Sequence, residues 1–245
     1  MRNLRLDMCY DGTRYRGWQR LPGADNTIQG KLEQTLSRIL GEQIEISGSG
    51  RTDAGAHAQG QVANFHCESN LAAEEILSQL RRYLPEDIGI YSCKEVSPRF
   101  HARLNAKTKT YCYRIWNSAE PCVFERRYVY ILPERLDTEQ MKRAAAMLLG
   151  EHDFSAFCAN KKMKKSTVRL VDSITIEQNK DRIHFTFHGT GFLQNMVRIL
   201  VGTMLEVGRG YWEADYVQTI LDAKDRKLAG PTAPPEGLCL MKVDY

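Results

Sequence analysis

The apolar residues of this chain change period, from two to about 3.6 and back, in an order that is written twice. That order restricts the fold more than any other feature. Leu4, Leu6, Met8 and Tyr10 alternate with Arg5, Asp7 and Cys9 before a turn at Asp11 and Gly12, the pattern of a strand with one buried face. Thr27 then supplies an N-cap, and Ile28, Leu32, Leu36, Ile39 and Leu40 recur at helical spacing until Gly41 stops the run. Gln43 to Ser47 and Gln61 to Cys67 read as strands, Leu71 to Tyr83 as a helix and Ile88 to Val96 as a fourth strand. The first half is therefore βαββαβ.

The second half repeats the order. A strand is expected at Lys107 to Asn117, a helix from Thr138 to Leu149 closed by Gly150, and strands near Val168 to Ile176 and Arg182 to His188. A helix at Phe192 to Val207, a short helix around Tyr216 to Ala223 and a last strand at Gly237 to Val243 complete it. The expected fold is α+β, two tandem ferredoxin-like units with antiparallel sheets. Each keeps both helices on one face, and the two open faces together make a central basic cleft. Pro98 breaks the pattern between Ser97 and Ala106, so the expected domains are 1–104 and 105–245.

Composition excludes several alternatives. At 42% hydrophobic and 26% charged residues the chain can bury a core, which sets disorder aside. No apolar run approaches the roughly 20 residues of a membrane span, and no signal-like apolar core opens the chain. Neither membrane insertion nor secretion is expected. The seven cysteines are scattered singly, without metal-ligand spacing, as reduced thiols of a cytoplasmic protein would be. A net charge of +4 permits a polyanionic partner without requiring one.

Between the second and third strands, Gly48, Gly50 and Gly55 surround Arg51, Thr52 and Asp53. Such glycine density shapes a loop. Taken alone, its Asp is more simply read as accepting local hydrogen bonds than as a catalyst. The spacing fits neither a Walker loop nor a dinucleotide fingerprint, so no nucleotide cofactor is expected.

Further segments change that balance. Gly50-Arg-Thr-Asp-Ala-Gly-Ala-His57 is preceded by Tyr10-Asp-Gly-Thr13 and Gly17-Trp-Gln19. It is followed by Phe100-His-Ala-Arg103, Lys109-Thr-Tyr-Cys-Tyr113, Gly191-Phe-Leu193 with Met196-Val-Arg198, and Gly237-Leu-Cys-Leu240. With these blocks in order the chain resembles, along nearly its whole length, the TruA family of tRNA pseudouridine synthases. The resemblance implies the pseudouridine synthase fold and isomerisation of uridine to pseudouridine in tRNA, at uridines 38–40 of the anticodon stem-loop. It implies Asp53 as the one essential catalytic residue, Arg198 as its ion-pair partner and Tyr111 stacking on the flipped base. Arg51, Arg103 and Leu240 are implied as substrate contacts, and a homodimer as the assembly.

The chemistry is consistent with that residue set. Pseudouridine formation breaks the C1′–N1 bond, rotates the uracil, joins C5 to C1′ and removes the C5 proton. Nothing is oxidised and no group enters or leaves, so neither cofactor nor metal is expected, only a carboxylate and a pocket that keeps the uracil. Attack on C6, attack on C1′ and elimination through a glycal all remain open. Each needs Asp53 ionised, which a buried carboxylate achieves beside an opposite charge. Flipping a base costs a few kcal/mol, and an aromatic platform at about 1–3 kcal/mol offsets it. Unassisted by the resemblance, Arg198 reads as a surface or interdomain residue and Tyr111 as sheet packing.

Lys161, Lys162, Lys164 and Lys165 form the densest basic run, and Arg14, Arg16 and Arg20 a second cluster beside Trp18. Backbone phosphates are the expected partners of the lysines and of Arg14, against the plainer reading of a solvated loop. His57 and His101 are expected to be structural. The signature has Ala56 where valine is usual. Thr190, Gln194 and Asn195 also depart from the common pattern and flank Arg198, so they bear on which uridine is accepted. A synthase acting on another RNA site is one alternative. Paired RNA-recognition motifs, a non-catalytic module, share the element order but lack here an aromatic and basic RNP string. An Asp-dependent hydrolase lacks a visible metal site or base partner.

Overall fold

A computed structural model describes residues 1–21, 23, 26–160, 163 and 165–245. The chain separates into two compact units, Met1–Lys107 with Cys239–Tyr245, and Thr108–Leu238. The last strand, read from order alone as the end of the second repeat in a 105–245 domain, thus clusters with the first unit.

In the first unit the elements are β1 (Arg2–Tyr10), α1 (Ile28–Leu40), β2 (Ile46–Gly48), β3 (His57–Cys67), α2 (Ala73–Tyr83) and β4 (Ile88–Val96). This is the βαββαβ order expected. β1 lies antiparallel between β3 and β4, and β2 pairs with β3. Leu4, Leu6, Met8 and Tyr10 are buried and Arg5, Asp7 and Cys9 only half so, because successive side chains of a strand point to opposite faces. Ile28, Leu32 and Leu36 of α1 and Ile76 and Leu80 of α2 complete this core. The Thr27 hydroxyl caps α1 by accepting from Gly30 N–H at 3.2 Å, and Gly41 ends it in the left-handed region at φ 71°.

Two strands differ in extent from expectation. β2 spans Ile46–Gly48 rather than Gln43 to Ser47, and β3 begins at His57 rather than Gln61. The extension of β3 has a distant cause. Cys239 and Leu240 of the closing strand (Leu238–Asp244, labelled β10 below) pair parallel with His57 and Ala58, so these residues gain ladder partners that local alternation does not announce.

The second unit contains β5 (Thr108–Trp116), β6 (Tyr130–Ile131), α3 (Thr138–Ala146), β7 (Gly150–Asp153), β8 (Val168–Asn179), β9 (Arg182–Gly189), α4 (Met196–Gly208) and α5 (Tyr216–Ala223). β9 lies antiparallel between β5 and β8, with β7 beyond β8 and β6 parallel to β5. The expected order of strands and helices is present, with β6 and β7 inserted. Ile183, Phe185 and Phe187 of β9 are fully buried, whereas Arg182, His184, Thr186 and His188 between them are half-exposed. Among the residues of α4 only Arg198 and Glu206 escape full burial.

Here too the helices are shorter than their apolar periods. α3 stops at Ala146 instead of Leu149, and α4 starts at Met196 instead of Phe192. The reason at α4 is Asn195, whose φ of 59° is left-handed and cannot continue a right-handed helix upstream. Among the described residues no helix is long and apolar enough to cross a membrane.

Candidate active site

The glycine-rich loop joins β2 to β3; Gly48 at its start pairs with Ala63, and His57 at its end pairs with Cys239 of β10, so both ends lie in strand ladders. At its tip Asp53-Ala-Gly-Ala56 closes a turn through the Ala56 N–H and the Asp53 carbonyl at 3.1 Å. Gly55, at the third position, has a φ of 80° that a side chain would resist. Asp53 is half-buried, Arg51 is exposed and Thr52 is buried. The turn therefore presents the carboxylate while anchoring its neighbour.

The anchor is a buried polar network. The hydroxyls of Thr52 and Tyr10 lie 2.8 Å apart, and the Gln61 amide donates to the Tyr10 hydroxyl at 3.2 Å and to the Gly50 carbonyl at 3.1 Å. Ser49 donates to Gln61 Oε1 at 2.6 Å. Ser49 and Gln61 are wholly buried, so each bond replaces water that the groups cannot reach. Burial pushes the Tyr10 phenol far above its ordinary value, which keeps it a neutral hydrogen-bonding group.

The Tyr10 to Gln19 segment forms the floor of the loop. Trp18 N–H donates to the Thr52 carbonyl at 3.1 Å, and Gly55 N–H to the Tyr15 carbonyl at 3.2 Å. The first amides of α1, on Ile28 and Gln29, donate to the carbonyls of Gly17 and Trp18 at 3.2 and 2.9 Å. A Cβ on Gly12 would lie 1.9 Å from the Ala56 carbonyl oxygen, so the floor touches the loop backbone to backbone. Leu240 is fully buried on β10, opposite Ala58, and so sits beside the strand that leaves the loop.

Arg103 is exposed on a turn tied to this unit. Its N–H donates to His101 Nδ1 at 3.1 Å, and the flanking Ala102 is held through its N–H by Asn64 Oδ1 at 2.8 Å and through its carbonyl by the Tyr245 hydroxyl at 2.7 Å. Arg14 is committed to a surface pair with Asp87, at 2.6 and 3.0 Å. Lys165 is exposed, whereas Lys161, Lys162 and Lys164 lie outside the described residues.

Tyr111 and Arg198 belong to the second unit, and both lean on the connection between β9 and α4. Tyr111, on β5 opposite Phe187, is buried and meets the Phe192 ring edge-on at 5.2 Å. Arg198 donates from Nε to the Ala233 carbonyl at 2.6 Å and from Nη1 to Asn195 Oδ1 at 3.4 Å. Ala233 N–H donates in return to the Arg198 carbonyl at 3.1 Å. Two of the guanidinium nitrogens are thus held, which orients its planar fork.

Sequence reasoning passed over Ser49, Gln61, Phe192 and Ala233. A signal existed for Gln61, which faces Met8 on the buried side of a strand where polar residues are rare. The Ala233 carbonyl had none. Among the described residues no group of three His, Cys, Asp or Glu side chains is placed to hold a metal ion.

A profile of the tRNA pseudouridine synthase family matches residues 8–105 and 144–245. The chain is 48% identical to tRNA pseudouridine synthase A of Bacillus sp. strain KSM-64 over 245 residues, covering all of both chains. It is 46% identical to tRNA pseudouridine synthase A 2 of Clostridium perfringens and 44% identical to tRNA pseudouridine synthase A of Acetivibrio thermocellus, again over the full length of both. Its backbone aligns with a chain of a Cbf5-Nop10-Gar1 complex at a TM-score of 0.39 and 11% identity, over 97% of this chain and 48% of that one. The family profile covers most of the chain and the relatives align end to end, and on that ground the protein belongs to the tRNA pseudouridine synthase family.

Proposed function

We propose that the protein isomerises uridine to pseudouridine in tRNA, at uridines 38–40 of the anticodon stem-loop, with Asp53 as the catalytic carboxylate. The observation that carries this reading is the Asp53 turn itself. A half-buried carboxylate stands on a tight turn whose neighbour Thr52 is locked into a buried network and whose backbone is bonded from below by Tyr15. That arrangement suits a group that must meet one ribosyl carbon or one base carbon with little freedom.

In this reading Arg198 pairs with Asp53 and keeps it ionised, its fork aimed by Ala233 and Asn195. Tyr111 stacks on the flipped base and holds the uracil between bond cleavage and re-addition, with Leu240 as an apolar wall. Arg51, exposed beside the carboxylate, reaches the target nucleotide's phosphate or fills the space it vacates. Arg103, Arg14 and the run Lys161, Lys162, Lys164 and Lys165 contact the RNA backbone. Arg14 exchanges Asp87 for phosphate when it does so. The protein acts as a homodimer in the cytoplasm. The first unit carries the Asp loop and Leu240, and the second supplies Tyr111 and Arg198.

The test is to incubate purified protein with unmodified tRNA, derivatise pseudouridine chemically and map it by reverse-transcription stops. Wild type should give stops in the anticodon arm only. Asp53→Asn should bind tRNA and give none, and Arg198→Lys should lose most activity because a point charge replaces a planar fork. Pseudouridine at wild-type rate in Asp53→Asn sinks the catalytic assignment, and stops elsewhere in the tRNA sink the substrate assignment alone.

A further inference from the structure

Within the first unit a chain of hydrogen bonds runs from His57 back to the Asp53 turn. Gly12 N–H donates to His57 Nδ1 at 3.1 Å. Tyr15 N–H donates to the Gly12 carbonyl at 2.9 Å, and Gly55 N–H to the Tyr15 carbonyl at 3.2 Å. Ala56 N–H closes the turn on the Asp53 carbonyl at 3.1 Å. His57 is only 4% exposed and is the first residue of β3, so the ring is held where the loop meets the sheet.

The protonation state of this ring follows from its partner. An Nδ1 that accepts from an amide carries no proton, so the imidazole is neutral, with its proton on Nε2. The same Nδ1 lies 3.3 Å from Asp11 Oδ1, which also accepts the N–H and hydroxyl of Thr13 at 2.9 and 2.5 Å. A lone pair on Nδ1 suits Gly12 and opposes the carboxylate, and a proton there reverses both. One atom therefore selects between two partners on adjacent residues. Titratable groups beside the ring include Asp11 and Cys239, the latter at the paired position on β10. Asp87, whose carbonyl takes the Asp11 N–H, is engaged through its carboxylate by Arg14 and Tyr15.

We propose that His57 is a positioning residue for Asp53, and that the neutral ring accepting from Gly12 is the state in which the loop holds the carboxylate in register. The proposal rests on the reading of Asp53 as the catalytic carboxylate. His57 touches no substrate and transfers no proton in the reaction. It acts through Gly12 and Tyr15, and protonation moves its allegiance to Asp11, releasing the floor of the loop.

The experiment measures kcat and KM on unmodified tRNA across the imidazole titration, from about pH 5 to about pH 8, for wild type, His57→Asn, His57→Ala and Asp53→Asn. The Asn carboxamide oxygen stands in for Nδ1 as an acceptor and does not titrate in this range. Wild-type kcat should fall about fivefold or more on the acid side while KM changes less than about twofold, since small misplacements of a reacting group act on the chemical step. His57→Asn should restore kcat to within about threefold of wild type at high pH and lack the acid limb, whereas His57→Ala should be slowed about tenfold or more throughout. If His57→Ala does not fold, the paired profiles of wild type and His57→Asn decide. An acid limb unchanged in His57→Asn, or wild-type kcat in a folded His57→Ala, overturns the proposal. Activity in Asp53→Asn overturns the catalytic assignment instead, so the two failures are distinct.

Discussion

Gly17 is pressed against Asp53: a Cβ on its α-carbon would lie 3.1 Å from the Asp53 carbonyl carbon, 3.1 Å from Ala54 N and 2.8 Å from the Thr52 carbonyl oxygen. Those atoms are backbone and cannot rotate away. Gly17 also has a φ of 90°, where an L side chain costs about 1–3 kcal/mol. Gly17→Ala should therefore push the Asp53 turn outward as well as destabilise the fold. We expect denaturant unfolding to show a loss of about 1–3 kcal/mol and kcat to fall about tenfold or more with KM nearly unchanged. A stable Gly17→Ala protein with wild-type kcat would show that the floor does not set the position of Asp53.

Gln61 supports a different link, the buried network rather than the turn. Replacing it by Leu removes a donor from the Tyr10 hydroxyl and the Gly50 carbonyl and an acceptor from Ser49, all inside the unit. Each polar group left unsatisfied in the interior costs about 1–3 kcal/mol, and Leu recovers part of that as apolar burial. Gln61→Leu should thus lose about 2–4 kcal/mol of stability, read from urea unfolding, and should lower kcat through Thr52. Gln61→Glu should do worse, because it buries a charge among neutral partners. Equal stability of Gln61→Leu and wild type would remove the network from the account of the site.

How much of this was legible in the sequence depends on whether the cause was local. The six elements of the first βαββαβ order followed from apolar period, because each buries one face against its neighbours, and the loop of Asp53 stood out by its three glycines. The start of β3 at His57 was hidden, since Gln59 and Gly60 interrupt the alternation and the stabilising partner lies on β10, far along the chain. The start of α4 was hidden too, because the apolar spacing continues back through Phe192 and Leu193 while the backbone turns left-handed at Asn195. At the site, the exposed or half-buried side chains of the Asp53 loop were readable as a motif. Of the groups behind them, Gln61 shows only as a polar residue facing Met8 on the buried side of a strand, and the main-chain carbonyl of Ala233 carries no mark in the residue string.

Asp153, at the end of β7, offers a test of electrostatics in the second unit that is independent of catalysis. The Thr167 hydroxyl, hydrogen-bonded at 2.5 Å, is the largest cause that holds its carboxyl at about 2, below the ordinary 3.8, with Lys224 and Ser155 helping. A depressed carboxyl contributes stability above its unfolded value and loses it as pH falls through the folded one, so the window lies between about pH 4 and about pH 2. Lys224 is 3.1 Å away but more than half exposed, so its contribution is the one that salt will screen. Thr167→Val should raise the Asp153 pKa toward the ordinary value, as read by carboxyl NMR titration, and should shift part of the acid loss of stability to higher pH. High salt should leave most of the depression in wild type and remove the remainder in Thr167→Val. An Asp153 that titrates identically in the two proteins would assign the depression to Lys224 instead of the hydroxyl.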